Sequence, residues 1–166
     1  MDSLRLDWGR MVDSDNMMID LTDVHLTLPS EAGPVDILRG VSLSVARGEA
    51  VGLVGPSGSG KSTLMAIMAG LERPSSGRVN VGGKGLHHMG EDDLALFRRD
   101  HVGIVFQSFH LIPTMTALEN VAMPLEFAGR ADAFDGAEAA LAEVGLEHRL
   151  RHYPAQLSGG EQQRVA

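Results

Sequence analysis

Between Met18 and Leu28 the stretch MIDLTDVHLTL alternates apolar and polar side chains, and VDILRGVSLSVARGE, Val35 to Glu49, does so again after the turn EAGP. A period of two puts alternate residues on opposite faces, so the pattern predicts two half-buried strands that pair antiparallel across the turn. EAVGLVG, Glu49 to Gly55, is instead an almost continuous apolar run, the pattern of a strand buried on both faces of a parallel sheet. It leads into PSGSGKSTLMAIMAGLE, where Leu64, Ile67, Met68 and Leu71 recur at helical spacing. SGRVNVGG predicts another short strand, and EDDLALFRR a short helix with Leu94 and Phe97 on one face and acids in its first turn. HVGIVFQ, His101 to Gln107, is a second candidate for a buried strand. After Pro113 the character turns helical through TALENVAMPLEFAG and DAFDGAEAALAEVG. Phe134, Ala137, Leu141 and Val144 mark one face of the second of these, and Gly145 is placed to end it. The prediction is an α/β core carrying a helical insertion over 113–157.

Length and composition narrow this picture without redirecting it. A chain of 166 residues with 43% hydrophobic and 22% charged residues is one globular domain, with neither disorder nor a fibrous class indicated. The net charge of -8 argues against nonspecific nucleic-acid binding, so any phosphate site must be local. No cysteine is present, which excludes disulfides and thiolate metal sites. No apolar run approaches the roughly 20 residues that cross a bilayer, and the charged opening MDSLRLDWGRMVDSDN does not read as a secretory signal. Residues 1–17 are expected to be a disordered tail or a start placed too early, with the domain proper at 18–166. Of the 14 basic residues only Lys61 and Lys84 are lysines, so a lysine kept against this arginine bias draws notice.

Lys61 lies in GPSGSGKST, Gly55 to Thr63, which fits the phosphate-loop pattern G-x-x-x-x-G-K-[ST]. Glycines let backbone amides turn inward around phosphate oxygens, and the helix that follows points its positive end at the same place. The candidate binding set is Gly55, Pro56, Ser57, Gly58, Ser59, Gly60, Lys61, Ser62 and Thr63. Lys61 would reach the β and γ phosphates, and the Ser62 hydroxyl would ligate Mg²⁺. The predicted strand before the loop and helix after it supply the context the motif requires.

A phosphate loop does not choose among kinases, GTPases and transport ATPases; the far end of the chain does. LSGGEQQRVA, Leu157 to Ala166, resembles the signature motif of the ATP-binding cassette (ABC) ATPases. IVFQSFHLIPTMTALENVAMPL resembles the glutamine-loop region of the same family. ILRGVSLSVARGE, STLMAIMAGLERPSSG and YPAQLSGGEQQRVA are similar to ATP-binding subunits of bacterial exporters of the lipoprotein-release and macrolide-efflux type. The resemblance runs from Ile19 to Ala166 and leaves out the first 16 residues.

The resemblance implies a P-loop ABC ATPase fold with an antiparallel β subdomain and a helical signature subdomain. It implies ATP and Mg²⁺ as ligands, a homodimer with a second ATP-binding subunit, and an integral-membrane permease as partner, with no nucleic acid. The place implied is the cytoplasmic face of the bacterial inner membrane. Ser158, Gly159 and Gly160 would meet nucleotide held by the other copy, and Gln107 would touch Mg²⁺ and the attacking water. The residues after Gln107 would face the permease. Leu28 stands where family members often stack an aromatic on adenine, which leaves the base contact open. The short interval from Gln107 to Leu157 argues against ABC proteins of DNA repair, which insert long coiled coils there, and translation-type members carry two cassettes.

The magnesium-binding aspartate, the catalytic glutamate and the switch histidine follow the signature helix in the family, and the sequence stops at Ala166 before them. The expectation is a fragment that binds nucleotide, with the apolar faces of EAVGLVG and HVGIVFQ short of neighbours. The alternative is a noncatalytic ATP-binding remnant that competes with the full-length subunit. Weaker constellations are read structurally: His148 and His152 at i, i+4 lack further ligands, His87 and His88 are expected in solvent, and Glu91, Asp92 and Asp93 are expected in a helical first turn.

Overall fold

The computed structural model describes residues 16–31 and 33–166. Most of the expected tail therefore lies outside the described residues, and Met17 already opens the first strand. The chain divides between Val102 and Gly103 into two compact units.

The first unit is built on a four-stranded antiparallel sheet in the order β2-β1-β3-β4, formed by β1 Met17–Leu28, β2 Val35–Ala46, β3 Ser76–Val81 and β4 Lys84–Gly85. The antiparallel pairing expected from the alternation is present, with Leu21 opposite Leu43 and Leu26 opposite Leu38. Alternation along β1 slips by one residue, so that Leu21 is followed on the buried face by Val24 and Leu26. The register shifts at the same place, and Asp23 adopts φ 52°. This is a β-bulge, and the extra residue keeps both halves of the strand facing the core. Helices α1 Lys61–Met68 and α2 Glu91–His101 cover that face with Leu64, Ile67, Leu94 and Phe97. Glu91, Asp92 and Asp93 form the first turn of α2 as expected, and Arg73 pairs with Glu91 at 2.9 Å.

The second unit is helical: α3 Ala117–Phe127, α4 Ala133–Glu143 and α5 Gly159–Val165. Its core gathers Ala117, Leu141, Leu146, Leu157 and Val165. Helix α4 ends as the sequence suggests. The Gly145 N–H donates to Ala142 O and the Leu146 N–H to Leu141 O, closing a Schellman turn around Gly145 at φ 73°. Thr116 caps α3 reciprocally with Glu119, a T-x-x-E capping box. Asn120 ties down the loop before it, accepting from the Ile112 N–H at 2.7 Å and donating to the carbonyls of Ile112, Met115 and Thr116. Asn120→Ala leaves that amide without a partner and is expected to destabilise this unit by about 1–3 kcal/mol, read by chemical denaturation.

Several expectations are corrected. Residues 49–56 and 102–107 form no strand, and Val54 and Val105 are 93% and 66% exposed. A strand buried on both faces holds its shape through ladders on both edges, and neither segment has a ladder partner among the described residues. Leu71 lies beyond α1 and is exposed. The buried face of α4 is Ala133, Ala137 and Leu141, with Phe134 and Val144 turned outward. The His87 ring is half-buried, its Nδ1 within 3.3 Å of both the N–H and the C=O of Val79. Among the described residues no helix is long and apolar enough to cross a membrane.

Candidate functional site

The phosphate loop leads directly into α1, and the hydrophobic side of that helix fixes it: Leu64 and Ile67 are buried under the sheet. Gly60 caps α1 in the left-handed region at φ 87°. A Cβ there would stand 2.9 Å from Leu38 Cδ2 and 3.2 Å from Ile37 O, so only glycine lets the loop pass this close to β2. A depression of about 350 Å³ results, lined by Ile37 and by every residue from Ser57 to Thr63. The Lys61 ammonium folds back over the loop, donating to Gly55 O at 3.0 Å, Pro56 O at 2.7 Å and Ser59 Oγ at 3.3 Å. Among the described residues the N–H groups of Lys61, Ser62 and Thr63 find no acceptor, as the first turn of a helix dictates, and the Ser62 hydroxyl is exposed and unbonded. The loop thus presents a cation, three free amides and a hydroxyl around one hollow.

The second candidate set lies in the helical unit. Leu157 is buried in its core, and the next residue, Ser158, emerges to cap α5. The Glu161 N–H donates to Ser158 Oγ at 3.3 Å, and the Ser158 N–H donates to Glu161 Oε2 at 2.8 Å. Gln162 steadies the approach, donating to the carbonyls of Pro154 and Leu157. Arg149 donates to Glu161 Oε1 at 2.9 Å and to His152 Nε2 at 3.2 Å. Gly159 and Gly160 are exposed beside Ser158.

The hydrogen bonds from the Ser158 N–H and hydroxyl, and then the guanidinium of Arg149, hold the Glu161 carboxyl down to about 2. A carboxyl lowered in the folded state adds stability that is full above its unfolded value and is lost as the pH falls towards the folded one. Stability should therefore drop between about pH 4.5 and pH 2, and less steeply in Glu161→Gln. Denaturation midpoints measured across that range check this.

Gln107 does not end a strand. It lies exposed in a turn, with no hydrogen-bond partner among the described residues. The chain then turns through Phe109 at φ 58° and His110 at φ 54°, with the His110 ring stacked on Phe106 at 4.7 Å. His152 is engaged by Arg149, and no group of three His, Asp or Glu among the described residues could hold a metal ion. The sequence reading missed Arg149, Asn120 and Ile37. The S-x-x-E spacing announced the cap at Ser158, but nothing local announces an arginine that reaches twelve residues forward.

A phosphate loop opening a helix and an LSGGE segment capping another are the two hallmarks on which family membership turns. The family model described as ABC transporter matches residues 38–166. The chain belongs to this ABC transporter family. The lipoprotein-releasing system ATP-binding protein LolD of Geobacter metallireducens is 52% identical over 151 residues, which is 90% of this chain and 67% of that protein. The ABC transporter ATP-binding protein YbbA of Escherichia coli K12 is 58% identical over 80% of this chain and 59% of its own length. The macrolide export ATP-binding/permease protein MacB of Bdellovibrio bacteriovorus is 44% identical, with 90% of this chain matching 23% of that longer protein. The chain thus spans about two thirds or less of the length of these relatives. Among solved structures, the ATP-binding cassette MJ0796, a dimer bound to ADP and Pi, superposes with a TM-score of 0.81 at 40% identity, covering 89% of this chain and 66% of that one. The α/β cassette fold expected from the sequence is the fold of this ABC domain.

Proposed function

We propose that this chain is the ATP-binding part of an ABC export system. It binds MgATP in the 55–63 loop and pairs head to tail with a second copy, so that Ser158, Gly159 and Gly160 meet the nucleotide held by the other copy's loop. In the whole protein, hydrolysis energises an integral-membrane permease from the cytoplasmic face of the bacterial inner membrane.

The observation that carries this reading is the hollow of the phosphate loop, where the Lys61 ammonium and the free amides of Lys61, Ser62 and Thr63 converge. Such donors match phosphate oxygens, and the bonds Lys61 makes to loop carbonyls are ones it can exchange for phosphate. The exposed Ser62 hydroxyl suits a hard cation that keeps most of its waters. Magnesium held there would neutralise charge on the β and γ phosphates. Gln107 takes the role that family resemblance gives it, contact with metal and water; its free exposed amide is compatible with that role. The similarity to a lipoprotein-releasing ATP-binding protein and a macrolide export protein supports the direction of transport.

Sedimentation of the purified chain with a nonhydrolysable ATP analogue and Mg²⁺ tests the pairing. Conversion of monomer to dimer on nucleotide addition is expected. A chain that binds the analogue to saturation yet stays monomeric contradicts the head-to-tail reading.

A further inference from the structure

We infer that Arg149 is a positioning residue for the signature segment: through Glu161 it fixes Ser158, and it cancels the negative charge that Glu161 would otherwise present to an approaching phosphate. The inference rests on the reading that Ser158 meets the nucleotide of a second copy.

The geometry divides the work of the Glu161 carboxylate between its two oxygens. Oε2 accepts the Ser158 N–H at 2.8 Å, and Oε1 accepts Arg149 Nε at 2.9 Å. Ser158 Oγ meanwhile accepts the Glu161 N–H at 3.3 Å, so the serine and the glutamate hold each other in one orientation. Arg149 is itself held in place. Its N–H donates to Leu146 O, its carbonyl accepts from the His152 N–H, and its guanidinium donates to His152 Nε2. Leu146 is fully buried, so this turn is anchored in the helical core.

The Glu161 side chain is 16% exposed and that of Arg149 35% exposed, so water screens the pair less than it screens an open surface pair. Without Arg149, an ionised carboxylate would stand one residue from Gly160 in a segment proposed to receive an anion. Arg164 is the other cation nearby, with a guanidinium nitrogen 3.9 Å from where a Cβ on Gly160 would stand. It is exposed and makes no bond to Glu161, so it does not replace Arg149 as the partner of the carboxylate.

Glutamine at the third position of a helix keeps a capping box while carrying no charge. The variant Arg149→Gln removes the compensating charge, and the double variant Arg149→Gln with Glu161→Gln removes both charges but retains the cap. Dimer formation with the nonhydrolysable ATP analogue is measured by sedimentation, and binding of a fluorescent ATP analogue to the monomer's own loop by titration. Arg149→Gln is expected to weaken association by roughly tenfold or more, and the double variant to recover most of that loss, while monomer binding keeps its wild-type value. Wild-type association in Arg149→Gln would overturn the inference. So would a double variant no better than the single one, because a purely structural role of Arg149 is not rescued by removing Glu161's charge. If the wild-type chain itself does not associate, the head-to-tail reading has failed first, a result recognisable before any variant is made.

Discussion

Lys61→Ala is expected to lower MgATP affinity by about a hundredfold or more, measured by calorimetric titration. The ammonium is bonded to two carbonyls and one hydroxyl of the loop, and among the described residues no other lysine or arginine lines the depression. Hydrogen bonds to charged groups contribute about 1.5–3 kcal/mol each, and a lysine bridging two phosphates makes at least two of them. Each 1.4 kcal/mol is a factor of about ten, so about 3 kcal/mol or more gives the stated loss. Arginine should not substitute, because its planar fork neither fits a loop that curls around a compact ammonium nor bonds the same two carbonyls. Ser62→Ala separates the metal from the charge. It should lose the part of the affinity that Mg²⁺ adds and keep the part measured in EDTA. Equal affinity of wild-type and Lys61→Ala chains would remove the loop from the account.

Gly77→Ala is expected to be the most destabilising single methyl in the sheet. Gly77 sits at φ 96°, and a Cβ would stand 2.3 Å from Asp23 O and 2.7 Å from both Asp23 C and Val24 Cα. These atoms are backbone of the bulge in the adjacent strand, so no side chain can swing aside. Strained backbone costs about 1–3 kcal/mol and forced overpacking about 1–3 kcal/mol more. The expected loss is therefore about 2–6 kcal/mol, a large share of the 5–15 kcal/mol that holds a typical domain together. Urea denaturation should show a strongly lowered midpoint or a chain that does not fold. A midpoint near wild type would mean that β1 and β3 part more easily than their register implies.

Much of this architecture was legible because its signals are local. Alternation announced β1 and β2, and the spacing of Leu94 and Phe97 announced α2. The glycines of GPSGSGKST announced the loop, whose shape depends on little beyond its own backbone and the strand beside it. What stayed hidden depends on contacts distant in sequence. The bulge at Asp23 is written as a one-residue slip in the apolar pattern, but its partner Gly77 lies more than fifty residues on. Arg149 reaches Glu161 through a turn that only the folded helical unit creates. The composition of EAVGLVG and HVGIVFQ suits a strand, yet a strand is a relation between segments, and among the described residues neither has a ladder partner. On α4 the larger residues, Phe134 and Val144, mislead: the buried face is made by small Ala133 and Ala137 with Leu141, in a helix that packs on α3. Sequence pattern weighs hydrophobicity, while a close helix contact selects for size.

The hollow lined by Ser57 to Thr63 is expected to bind the phosphates of a nucleotide. Titration of the purified chain with ATP in the presence of Mg²⁺, followed by calorimetry, tests it most directly. The expected result is saturable binding to one site per chain with a dissociation constant below about 1 mM, the usual ceiling for such substrates, and its loss in Lys61→Ala. Absence of saturable binding in a folded chain, or identical binding by the Lys61→Ala variant, would contradict the claim.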